Sequence, residues 1–139
     1  PDRNPQKPLK RDEDIFAFFN QLKTQIQKSG REKLHIHPGF LLQTELNPTV
    51  RWVLRLKHHR PDLRVHLLMG HDSFKSLSTW IQAHDLMKLL TGIMVVSRLE
   101  QDSQHALDSK WALEQNPKLE IKFMGHHDFE DISSTNLRK

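Results

Sequence analysis

The chain of 139 residues contains no cysteine. That absence excludes disulfides, thiolate zinc sites and a cysteine nucleophile. No apolar run approaches the roughly 18 residues that a membrane span requires, and no charged-then-apolar leader opens the chain. The expectation is a soluble, cytoplasmic protein with no membrane partner. Glycine is scarce, five residues in all, and neither common glycine-rich nucleotide cradle, G-x-x-x-x-G-K-[ST] or G-x-G-x-x-G, occurs. The G-x-S-x-G nucleophile elbow is also missing, and a Ser-His-Asp triad can be drawn only by free choice among many candidates. There is no internal repeat and no low-complexity segment.

What is present suffices for one core: 36% of the residues are apolar, so a single α/β domain is expected over 1–139. The chain begins at Pro1 without a methionine, and Lys139 falls where a helix is starting, so the domain is expected to be incomplete at both ends. Twenty-one Lys and Arg against 17 Asp and Glu leave a formal charge of +4. With a pI near 9.5, this favours a phosphate-bearing partner without choosing among nucleotide, nucleic acid and none.

After an irregular, basic lead-in, "PDRNPQKPLKR", the residues Ile15, Phe19, Leu22 and Ile26 recur at helical spacing, and Gly30 follows. They predict a helix of about four to five turns from Asp12. "LHIHPGFLL" reads as a strand with Leu34 and Ile36 on one face and His35 and His37 on the other. In "NPTVRWVLRLKHHRP", Asn47 is expected as cap, Pro48 at the first position, Val50, Val53 and Leu54 inward, and Pro61 as the stop. Val65–Met69 and "GIMVVSR" predict strands buried on both faces. "STWIQAHDLMKLL" predicts a helix burying Trp80, Leu86, Leu89 and Leu90. "QDSQHALDSKWALEQNPK" reads as a polar connection with room for a short helix, and "LEIKFM" as a last strand. This alternation predicts a mostly parallel sheet with helices on both faces.

In such sheets ligands bind beyond the carboxyl ends of the strands, which selects "MGHDSFKSLSTW" and "GHHDFEDISSTNLRK". Gly70 permits close backbone approach, the Asp72 carboxylate can accept hydrogen bonds from ribose hydroxyls, and Trp80 can stack on a flat ring. Asp72 as a helix cap and Trp80 as core filling remain the alternatives. Ser133, Ser134 and Thr135, with Arg138 one turn on, either cap a helix start or hold phosphate on its free N–H groups. The ten histidines include His35 with His37, and the adjacent pairs His58–His59 and His126–His127. Adjacent histidines on a regular element point apart, so no metal site is assigned.

The order "HLLMGHDSFKSLSTW", "GIMVVSR", "ISSTNLRK" resembles the bacterial nicotinate-nucleotide adenylyltransferases of the nucleotidyltransferase superfamily. That family shows a strand ending M-G-x-D-S, a nearby L-x-x-W, a strand ending V-V-x-R and a late I-S-S-T-x-I-R. "NPTVRWVLRLKHHRPDLRVH" is similar to the helix before its M-G-x-D strand, and "NPQKP" to a loop after its second strand. The resemblance implies a Rossmann-like fold and, with Mg²⁺, transfer of the adenylyl group of ATP to nicotinate mononucleotide. It places Ser133, Ser134, Thr135 and Arg138 on the ATP phosphates, with Arg138 catalytic. It places Gly70 and Asp72 on the nucleotide, and Trp80 and Thr49 on the nicotinate.

Three departures accompany it. The family's glycine-rich first strand and its H-x-G-H motif do not occur in these 139 residues. His71 stands where the family carries a small residue, and Asn47-Pro48 replaces Ser-Tyr before Thr49. Two other functions stay open: a catalytically silent nucleotide- or nucleic-acid-binding module, and another adenylyltransferase such as the pantetheine-phosphate type. No interleaving of aromatic with basic residues favours nucleic acid. A homo-oligomer is left open.

Overall fold

The computed structural model describes residues 12–31, 33–35, 48–96 and 102–125. The backbone divides into two compact units, Pro1–Asn47 and Pro48–Lys139. In the first, helix α1 spans Asp12–Lys28. Ile15 is buried and Phe19, Leu22 and Ile26 are half-buried, so the predicted stripe is the least exposed side of the helix. Gly30 then adopts φ +64°, a left-handed conformation in which glycine ends helices without a Cβ penalty. The strand expected in "LHIHPGFLL" lies almost wholly outside the described residues.

The second unit is an α/β layer. Helix α2 (Thr49–His59) leads to β1 (His66–Gly70), helix α3 (His71–Lys75), a 3₁₀ turn (Leu77–Thr79), helix α4 (Ala83–Leu89), β2 (Gly92–Val96), helix α5 (Asp102–Gln115) and β3 (Glu120–Met124). The strands form a three-stranded sheet in the order β1-β2-β3. Both pairings are parallel, with Leu67 beside Ile93 and Ile121, and Met69 beside Val95 and Phe123. These residues share one face, because side chains alternate along a strand. They form a core with Val50 and Val53 of α2, Phe74 of α3, Leu86 and Met87 of α4 and Ala112 of α5. Leu77, Leu86, Met87 and Ile93 are fully buried, each contributing about 1.5–3 kcal/mol by removal from water.

Several local expectations change. Helix α2 starts one residue late: Pro48, extended at φ −67° and ψ 145°, is the N-cap, and Thr49 is the first helical residue. Leu54 is 49% exposed rather than inward, because it falls off the face set by Val50 and Val53. The strands are buried on one face, not two. Leu68 is 67% exposed, since the helices of this unit join the core through the Leu67–Met69 side. "STWIQAHDLMKLL" is not one helix: Gln82 takes φ 52°, which interrupts the helical path. Trp80 therefore follows the 3₁₀ turn rather than lying within α4, while Leu86 and Leu90 are buried and Leu89 is half-buried. The polar connection after β2 is mostly helix, 14 residues long.

Candidate functional site at the carboxyl rim of the sheet

Parallel pairing sends all three strands in one direction. Gly70, Val96 and Met124 are the last residues of their strands and stand side by side. The turn after β1 and the segment after β3 thus leave from the same rim, separated by two strand spacings, about 10 Å. Helices α2 and α4 end shortly before the strands they feed.

Gly70 is extended, φ −72° and ψ 158°, a conformation open to any residue. A Cβ built there meets nothing within 4 Å among the described residues. Open space, not backbone strain, is what this glycine provides. Asp72 lies in the first turn of α3 and is exposed. Gly70 is the N-cap of that helix and no side-chain cap is made, so the Asp72 carboxylate is not used as a cap. Trp80 is half-buried and packs against the core. Thr49, at the start of α2, is half-buried. Ser133, Ser134, Thr135 and Arg138 lie outside the described residues, as does the His126–His127 pair.

One cluster at the rim was not legible as a site in the sequence. His71, the first residue of α3, shares a 2.7 Å hydrogen bond through Nε2 with Oδ2 of Asp108 on α5. The two side chains are only 17% and 10% exposed. A charged acceptor and restricted solvent make this a short, charge-assisted bond. The His105 ring stacks on Phe123 with centroids 3.8 Å apart and planes 7° from parallel. His71 meets both rings edge-on, at 5.6 Å and 6.1 Å. His105 and Asp108 are three residues apart, hence on one helical face. That spacing was the available signal, concealed because α5 carries no clear apolar stripe. Among the described residues no three His, Asp or Glu side chains form a cation-holding group.

No protein-family model and no curated protein sequence matches the chain. Among the solved structures that resemble it are two of Plasmodium falciparum nicotinic acid mononucleotide adenylyltransferase. The one complexed with APC has a TM-score of 0.63 at 18% identity, over 88% of this chain and 60% of the other. The one complexed with NaAD has a TM-score of 0.65 at 19% identity, over 98% of this chain and 63% of the other. The chain therefore spans less than two thirds of the length of these neighbours. What the likeness establishes is the fold, a Rossmann-like α/β architecture.

Proposed function

We propose that this chain carries the nucleotide-handling part of a cytoplasmic nicotinate-nucleotide adenylyltransferase. The reading rests on one observation above all: the turn after Gly70 and the segment that leads to "ISSTNLRK" depart from the same rim of a parallel sheet. The fold neighbours, adenylyltransferases complexed with APC and with NaAD, support it.

In this reaction a phosphate oxygen of nicotinate mononucleotide attacks the α-phosphorus of ATP. The new P–O bond forms as the bond from that phosphorus to the bridging oxygen breaks, and pyrophosphate leaves with the electron pair. The protein's task is to hold the two phosphates in line and to neutralise the charge that develops on the leaving group. Arg138 and the hydroxyls and amides of Ser133, Ser134 and Thr135 are assigned to that charge. Gly70 gives ATP room to approach the backbone, and Asp72 accepts from the ribose. Trp80 packs on the nicotinate ring, and Thr49 donates to its carboxylate. Mg²⁺, arriving with ATP, supplies further neutralisation of the phosphates.

The test is pyrophosphate release by the full-length protein from ATP and nicotinate mononucleotide, with pantetheine phosphate as the control acceptor. Arg138→Ala is expected to lower kcat/KM on the order of 10²- to 10³-fold, the scale for removing one donor to developing charge. Unchanged ATP kinetics would remove the phosphate role from that motif.

A further inference from the structure

We infer that His71 is a positioning residue for ATP, acting through Asp108; this rests on the function proposed above. The turn from β1 into α3 carries Gly70 and Asp72, the residues assigned to the nucleotide. It receives no side-chain cap at the start of α3. Besides Phe74 in the core, its first helical side chain ties it to the rim: His71 Nε2–H donates to the Asp108 carboxylate at 2.7 Å. A bond between groups 17% and 10% exposed is poorly replaced by water, so its loss costs a largely desolvated carboxylate one of its contacts. The bond spans 37 residues and joins the turn after β1 to the helix that follows β2. It therefore ties the start of α3 to α5 beside the sheet's carboxyl rim. The edge-on packing of His71 against His105 and Phe123 limits the ring's rotation.

Asp72 is adjacent to this anchor in sequence and is itself exposed. Releasing His71 lets Asp72 and the Gly70 backbone drift relative to the bound nucleotide, which weakens the hydrogen bonds assigned to ATP. The effect belongs to ATP, not to the acceptor.

The experiment compares the full-length wild type with His71→Ala, Asp108→Ala, the double variant and His71→Gln. It measures KM for each substrate, kcat, ATP affinity by calorimetry without acceptor, and the melting midpoint. His71→Ala and Asp108→Ala are each expected to raise KM and Kd for ATP by about 10-fold, leaving KM for nicotinate mononucleotide and kcat within about 3-fold. The defects are expected to be less than multiplicative in the double variant, as for two residues that share one interaction. His71→Gln, whose amide nitrogen reaches nearly as far as Nε2, is expected to restore most of the ATP affinity. A lowered melting midpoint with unchanged ATP constants would reduce the pair to a structural tie and overturn the inference. So would defects that multiply in the double variant. If His71→Ala does not fold, Asp108→Ala and His71→Gln read the same bond. A wild type that binds ATP but forms no dinucleotide refutes the acceptor assignment alone, and one with no affinity for ATP refutes both.

Discussion

The two rims of the sheet use glycine for opposite reasons. At the amino rim, His66, Gly92 and Glu120 stand in one row. A Cβ on Gly92 would lie 2.5 Å from Cδ2 of His66 and 2.7 Å from the Glu120 carbonyl oxygen. Arg64 reaches Glu120 at 3.4 Å and His66 approaches it at 3.6 Å. Nearby, Asn116 donates from Nδ2 to the carbonyls of Met87 at 2.9 Å and Leu90 at 3.3 Å, and accepts from the Lys118 N–H at 3.1 Å. This rim is filled by the chain itself. At the carboxyl rim, a Cβ on Gly70 meets nothing within 4 Å among the described residues, and Asp72 is exposed beside it. Packing closes the space around Gly92 at one rim and leaves it open at Gly70 on the other, among the described residues. Stability should therefore be sensitive at Gly92, and ligand binding at Gly70.

The sharpest way to break this contrast is Gly92→Ala. Its new methyl group meets backbone as well as a side chain, so about 1–3 kcal/mol of stability should be lost. A thermal melt would show it, at roughly 4–8 °C per kcal/mol for a small domain; an unchanged midpoint would mean that the amino rim is not tightly filled. Gly70→Ala should do the reverse. Its φ suits alanine, so folding should gain about 0.4–1 kcal/mol through the unfolded chain, while ATP affinity falls because the methyl enters the ligand's space. A variant with both properties intact would show that no ligand approaches there.

The smallest effect is expected at Arg60 and Asp62, beside the amino rim. The Arg60 guanidinium donates to both carboxylate oxygens of Asp62, at 3.1 Å and 3.0 Å. That hydrogen bonding, first among the causes, holds the Asp62 carboxyl below its ordinary pKa and raises that of Arg60. A depressed carboxyl stabilises the fold above the unfolded-state pKa, about 3.9, and loses that contribution as pH falls through the folded value. Because both groups are fully exposed, solvent screens the pair strongly. Melts of Asp62→Asn and wild type should differ barely at pH 7 and converge in acid. A large difference at pH 7 would place this corner within the packed rim.

Much of the fold was legible because its causes are local. The spacing of Ile15, Phe19, Leu22 and Ile26 announced α1, and the apolar runs around Met69 and Val95 announced β1 and β2. Where a competing interaction decided, the reading failed. The left-handed turn at Gln82 separates Trp80 from α4, though no glycine marks it. Exposed Leu68 looked like core because hydrophobicity alone does not say which face the helices cover. The carboxyl rim was anticipated from strand order, and Gly70 and Asp72 are found there. The His71–Asp108 pair was not anticipated, because 37 residues separate its members and α5 lacks an apolar stripe to orient it.

By itself, the sequence determined the alternation of helices and strands and the direction in which the strands run. Periodicity and end signals act over a few residues, and successive crossovers make strands parallel. Only the tertiary structure decided which face of the sheet is covered, which glycine is hemmed in by its own chain, and which histidine meets a carboxylate. Those outcomes depend on distances between segments remote in the chain, and such distances exist only once the layers have packed.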